Sequence, residues 1–267
     1  MNSMHEVDYQ IHGNETQFVE IELDPMEAVV AESGAMMFMD DGVAMNTILG
    51  DGSQQHSGFM GALLGAGKRL LMHESLFMTV YQNQSATKRR IAFGAPIPGR
   101  IIPVSLRDLG GELITQKESF LCAAKGVTID IAFQKKLGTG FFGGEGFILE
   151  RLKGEGLVFI YAGGALYERT LAPGEVLKID TGCITAFQPS VDYDIQFVGG
   201  IKNTLFGGEG LFFATLRGPG KIWLQSLPFS RLAGRVIAAA PQTGRGDREE
   251  GSVLGGLGRL IDGDNRR

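Results

Sequence analysis

The sequence predicts an all-β fold made of three tandem β repeats in a pseudo-threefold arrangement, each a sandwich or barrel unit. Three observations predict the β class and the repeats. Two long segments coincide when the chain is slid 64 residues along itself, so that Val127 falls on Val191. Turn-forming residues recur about every eight to twelve positions, the rhythm of a sandwich or barrel rather than of βαβ units. The stretches between turns have the length and composition of strands, being β-branched, aromatic and often alternating.

The internal repeat organises the whole chain. Val127-Thr128-Ile129-Asp130-Ile131-Ala132-Phe133 falls on Val191-Asp192-Tyr193-Asp194-Ile195-Gln196-Phe197. Phe142-Gly143-Gly144-Glu145-Gly146 falls on Phe206-Gly207-Gly208-Glu209-Gly210 with no gap between the two matches. The same shift lays Leu152, Gly154 and Gly156 on Leu216, Gly218 and Gly220. A more diverged copy lies upstream at a shift of 148, where Leu23-Asp24-Pro25-Met26-Glu27 falls on Leu171-Ala172-Pro173-Gly174-Glu175. The copies are read as about 15–100, 101–164 and 165–230, within one domain spanning 15–235. Each copy exposes an apolar face that it cannot bury alone, so the three are expected to pack on one another about a pseudo-threefold axis.

Individual elements follow from local pattern. Phe18–Leu23 alternates with period two, placing Val19, Ile21 and Leu23 on one face and Phe18, Glu20 and Glu22 on the other. Thr128–Phe133, Asp192–Phe197 and Lys221–Leu227 also read as strands. Asp24-Pro25, Gly110-Gly111, Gly163-Gly164, Ala172-Pro173-Gly174 and Gly218-Pro219-Gly220 read as turns. Residues 236–267 are expected to form a flexible tail, in which Val253, Leu254, Leu257, Leu260 and Ile261 are spaced for a short docking helix that three glycines would weaken.

Composition bounds the function classes. The chain has 267 residues, 40 of them Gly, about twice ordinary usage, which indicates many tight turns. The net charge of −5 argues against a phosphate-binding surface, so DNA is not an expected partner and RNA binding is disfavoured. Cys122 and Cys183 lie in apolar runs and are expected as buried thiols. The first ten residues lack the apolar region of a secretion signal, and no run reaches the ~20 apolar residues of a spanning helix. The expected location is cytoplasmic, with peripheral membrane attachment open.

Motifs that invite a catalytic reading fail on context. Gly138-Thr139-Gly140-Phe141-Phe142-Gly143 has dinucleotide-fingerprint spacing, but Gly144-Glu145-Gly146 follows where a helix is required. Gly65-Ala66-Gly67-Lys68-Arg69 resembles the end of a phosphate loop, yet Ala62 stands at its first glycine and Arg69 at its hydroxyl position. The histidines His5, His12, His56 and His73 have no metal-ligand spacing. Catalytic, cofactor and metal residues are therefore all expected to be none. Asp130 and Asp194 are repeat-related carboxylates that a pseudo-axis could bring together.

Two features remain as interaction or structural candidates. The glycine turn occurs as Gly143, Gly144, Glu145, Gly146 and again as Gly207, Gly208, Glu209, Gly210, with Glu74 its echo in the first copy. Repetition favours a structural role, since a folding constraint acts on every copy and a single active site does not. The apolar run Gly58–Met72 carries Lys68 and Arg69, and reads either as internal packing or as a lipid-touching loop.

Ala123-Lys125-Gly126, Ile131-Ala132-Phe133-Gln134-Lys135, the glycine turn, Asp180-Thr181-Gly182, the run Pro189–Gly200 and Trp223-Leu224-Gln225-Ser226-Leu227-Pro228 resemble the mitochondrial biogenesis AIM-type family over about residues 18–235. The resemblance implies a fold like that of the tryptophan RNA-binding attenuator protein, with three β units per chain and trimeric association. Eukaryotic relatives are linked to organisation of the mitochondrial inner membrane, and the family implies no catalytic or cofactor residue. The expected function is a non-enzymatic homo-oligomeric scaffold at a membrane surface or membrane-protein complex. The alternative is a ligand-binding or enzymatic protein using a groove between repeats or the pseudo-threefold axis.

Overall fold

Strand follows strand along the chain, with one helix at the end of the described region. The computed structural model describes residues 6–32, 34–49, 77–135, 147–198 and 211–239. After β1 (Asp8–His12) come β2 (Phe18–Leu23), β3 (Ala28–Glu32), β4 (Met36–Met39), β5 (Val43–Leu49), β6 (Phe77–Asn83) and β7 (Arg89–Gly94). They are followed by β8 (Gly99–Ser105), β9 (Glu112–Gln116), β10 (Phe120–Ala124), β11 (Thr128–Lys135), β12 (Phe147–Lys153) and β13 (Leu157–Gly163). The last set is β14 (Leu166–Leu171), β15 (Val176–Asp180), β16 (Ile184–Phe187), β17 (Asp192–Val198), β18 (Leu211–Arg217) and β19 (Gly220–Gln225), before helix α1 (Phe229–Ala239).

One pairing scheme serves all three sets. In each, the fourth and fifth strands form an antiparallel hairpin, and the fifth pairs the second. The sixth strand pairs the first on one side and the third on the other. Each third strand also has a register shift at the same place, between Met36 and Phe38, Phe120 and Cys122, and Ile184 and Ala186. A bulge kinks a strand and re-aims its side chains, so this recurrence fixes equivalent geometry in all three.

Successive sets are joined strand to strand. The second strand of one set pairs the third strand of the next, β3 with β10 and β9 with β16. Two six-stranded sheets result, ordered β5-β6-β3-β10-β13-β8 and β11-β12-β9-β16-β19-β14. At the ends remain a four-stranded sheet, β1-β2-β7-β4, and a three-stranded sheet, β15-β18-β17.

Three hydrophobic cores lie between these sheets. Val19, Ile21, Leu23, Ile91 and Phe93 pack with Val29, Ala31 and Tyr81. Val30, Met78, Ile102, Val158 and Ile160 pack with Leu113, Ile129, Leu152 and Trp223. Ile114, Phe147, Leu149, Phe187 and Ile222 pack with Ile195, Ala214 and Leu216. A strand such as β13 is apolar on both faces because Phe159 serves one core and Val158 and Ile160 another. β2 borders only one core and keeps the alternation read from its sequence, with Val19, Ile21 and Leu23 wholly buried.

Two elements lie beyond the sequence-based outline. β1 pairs β2 ahead of the expected domain start at 15, with Gln10 opposite Glu20. Helix α1 crosses the expected boundary at 235. Its apolar residues Phe229, Leu232, Ala233, Val236 and Ile237 fall at helical spacing directly after Pro228, a pattern visible in the sequence.

The turn between the first and second strands of a set needs a left-handed residue. Gly110 and Gly174 supply it with φ of 82° and 76°, but in the first set the position is Met26, at φ 68°. The flanking glutamates act alike: the Glu27 carboxylate accepts the Asp24 N–H (2.9 Å) and that of Glu175 accepts the Ala172 N–H (2.7 Å). A side chain in the left-handed region costs roughly 1–2 kcal/mol, partly offset by the chain entropy that glycine loses. Met26→Gly is expected to stabilise the fold by up to about 1 kcal/mol, read as a raised denaturant midpoint at unchanged slope. A lowered midpoint would show that Met26 packs productively despite its exposure.

Candidate functional site

Among the described residues the joining rule leaves two strands without that join. β4 is a third strand with no second strand of another set beside it, and β15 is a second strand with no third strand beside it. Among the described residues β4 pairs only β7, and β15 pairs only β18. Burial shows the consequence. The paired equivalents of β4, β10 and β16, are buried at every residue. In β4 itself Met37, Phe38 and Met39 are 57%, 38% and 37% exposed. Likewise β3 and β9 are mostly buried, whereas Val176 at the start of β15 is 45% exposed. An apolar strand with an open row of N–H and C=O groups is a ready site for pairing with another strand.

A second unusual group sits inside. Glu150 on β12 is 1% exposed, and neither carboxylate oxygen has a hydrogen-bond partner. It lies opposite Thr115 on β9, whose hydroxyl donates to the Thr185 carbonyl at 2.9 Å. Gln116 Oε1, Ser119 Oγ and Thr185 Oγ1 are also buried without partners. Burial, with the Glu32 carboxylate adding to it and Lys117 opposing, holds the Glu150 carboxyl well above the usual carboxylate range. The shift favours the protonated carboxyl, the form that can donate a hydrogen bond. Strand register places Thr79 and Ala214 at the corresponding positions, so the fold does not itself require an acid here.

Sequence-derived candidates fare differently. Asp130 and Asp194 are not brought together: both are exposed, one on β11 and one on β17, in different sheets. Cys122 is buried, whereas Cys183 is half-exposed in a 3₁₀ turn, with the Arg231 guanidinium 3.7 Å from its sulfur. Gly143, Gly144, Glu145, Gly146, Gly207, Gly208, Glu209, Gly210, Glu74, Lys68, Arg69 and the rest of Gly58–Met72 lie outside the described residues, as does 240–267. The segments holding them connect the fourth strand to the fifth in all three sets. Among the described residues no group of three or more His, Cys, Asp and Glu side chains is placed to hold a metal, and no helix is long and apolar enough to cross a membrane. A surface cleft of about 420 Å³ is bordered by Glu6, Asp8, Asp24, Glu27 and Glu155 against Arg107, a strongly acidic wall.

The sequence profile of the family described as mitochondrial biogenesis AIM24 matches residues 9–227. The chain belongs to the AIM24 family. An uncharacterized protein of Streptococcus pyogenes serotype M6 is 30% identical over 226 residues, covering 84% of this chain and 86% of that protein. The crystal structure of the Streptococcus pyogenes protein SPYM3_0169 superposes with a TM-score of 0.69 at 24% identity, covering 88% of this chain and all of that one. At that identity the likeness establishes a shared fold. The AIM24 profile ends within two residues of the last strand, so membership rests on the β units that carry the open edges and Glu150.

Sequence reading passed over Glu150, although the 64-residue shift that aligns β12 with β18 sets it against Ala214, a visible contrast of acid and alanine. Its raised pKa has a defined linkage. The protonated form is stable in the fold, so the contribution is full below the ordinary value of 4.5 and is lost as pH rises toward the folded-state value. Glu150→Gln should remove that loss, its stability relative to the parent growing from about pH 4.5 to pH 8 in paired denaturant melts. A constant difference across that range would show that the carboxyl is solvated or paired.

Proposed function

We propose that this AIM24-family chain is a non-enzymatic scaffold that assembles with copies of itself and presents the assembly to a membrane surface or a membrane-protein complex. The observation that carries the reading is the pair of complementary open edges, an apolar third strand at one end of the sheet series and an unpaired second strand at the other. A sheet edged by an exposed Met-Met-Phe-Met strand has a strong hydrophobic reason to associate. Edges that differ from each other associate head to tail, giving a closed ring or an open filament, and a ring of three is the expected form.

Helix α1 supports the membrane side of the proposal. It exposes Phe229 and Val236 and carries Arg231 and Arg235 among its polar residues. That combination of apolar side chains and cations suits the boundary between acyl chains and anionic headgroups.

Light scattering on the purified full chain over a hundredfold concentration range tests the assembly, with a mass of three chains expected. A single-chain mass throughout would remove the scaffold reading. Flotation with vesicles containing anionic phospholipid tests the membrane side: the parent should float, and Phe229→Glu/Val236→Glu should float several-fold less. Equal flotation of the two would exclude α1 as the contact.

A further inference from the structure

We infer that the interface between copies is a continuation of the sheet, in which β15 of one chain pairs antiparallel with β4 of the next, in the register that joins the sets inside the chain. This rests on the assembly reading above and specifies its contact.

Both internal joins follow one rule. Cys122 lies opposite Ala31 and Ala123 opposite Val30. Ala186 lies opposite Thr115 and Phe187 opposite Ile114. The 64-residue offset carries the first of these third strands onto the second, Cys122 onto Ala186, with the bulge beside each in the same place. β4 has that bulge too, which equates Phe38 with Cys122 and Ala186, and Met39 with Ala123 and Phe187. On the other strand, the offset carries Thr115 onto Ile179 and Ile114 onto Lys178. The rule therefore sets Phe38 opposite Ile179 and Met39 opposite Lys178 across the interface. The result is a six-stranded sheet, β17-β18-β15 followed by β4-β7-β2 of the neighbour, with β1 as a seventh strand.

A second copy is the occupant the structure specifies. The two internal joins show what covers a third strand in this fold, and β15 is the second strand left without that role. Within one chain β4 and β15 do not pair. The bulge is a further selector, because it twists and bends β4 in the way that the partners of β10 and β16 already match. The exposed Met37, Phe38 and Met39 would leave water, as their counterparts in β10 and β16 have done.

Cysteine pairing tests both partner and register. In a Cys183→Ser background, Met39→Cys and Lys178→Cys chains carrying different affinity tags are co-expressed and oxidised, and Phe38→Cys and Ile179→Cys chains likewise. Consecutive opposed pairs alternate between about 5.5 and 4.5 Å Cα separation, both within disulfide reach, and the combination that links more fully is carried forward. The expected result is a disulfide-linked species containing both tags in about half of the protein, since each engineered edge meets its complement in about half of the contacts of a randomly mixed head-to-tail assembly. The double variant of that pair on one chain should give a ladder of covalent multimers, and the off-register pair Phe38→Cys with Lys178→Cys only a trace. Three outcomes would overturn the inference. A double variant that oxidises wholly within single chains shows closure of one chain on itself. Efficient self-linking of a Met39→Cys chain shows a two-fold β4–β4 contact. Multimers by light scattering without any linked species place the contact elsewhere and leave the scaffold reading standing, whereas single chains by light scattering remove both.

Discussion

The antiparallel join between the second strand of one set and the third strand of the next is the contact on which the rest depends. A three-stranded ribbon offers a small, twisted surface and two open edges, and is marginal by itself. Joining ribbons through β3 and β10, and through β9 and β16, makes six-stranded sheets that are apolar on both faces over much of their area. Those sheets can then divide three cores among themselves, with residues of one strand pointing alternately into two of them. Cooperativity between the sets thus travels through backbone hydrogen bonds as well as through side-chain packing.

The same join creates the molecule's main liability. Any open series of such units has one third strand and one second strand left over at its ends. Natural sheets usually blunt exposed edges with charge, proline or cover. β15 follows that practice in part through Lys178 and Asp180, the latter also held by Arg231 at 3.1 Å. β4 does not: its four residues are three methionines and a phenylalanine, and charge returns only at Asp40 and Asp41. Methionine is unbranched and adaptable, suited to a surface that must be tolerable when open and well packed when covered.

Glu150 belongs to a different kind of constraint. A carboxyl without a hydrogen-bond partner in the interior costs on the order of 1–3 kcal/mol even when neutral. The corresponding positions hold threonine and alanine, so the strand geometry accommodates smaller and less costly residues. Gln116 and Ser119 in the middle set and Thr185 on β16 of the last set also carry buried polar atoms without partners. Local identity between the sets therefore stops at the backbone, and their interiors have diverged in chemistry.

The sequence by itself determined the β class, strands at Phe18–Leu23, Thr128–Phe133 and Asp192–Phe197, the last two extending one or two residues further in the fold, and the turns at Asp24-Pro25 and Ala172-Pro173. These are written in periods of two and in residues with restricted φ, which act over a few positions. It also held, unread, the helical spacing of Phe229–Ile237 and the contrast of Glu150 with Ala214. Only the tertiary structure decided which strands share a sheet, because pairing over tens of residues depends on the competition of all edges at once. It separated Asp130 from Asp194, buried Glu150 without a partner, and exposed β4 while burying β10 and β16. In each case the side chains are compatible with either environment, and the neighbour across the sheet chooses between them.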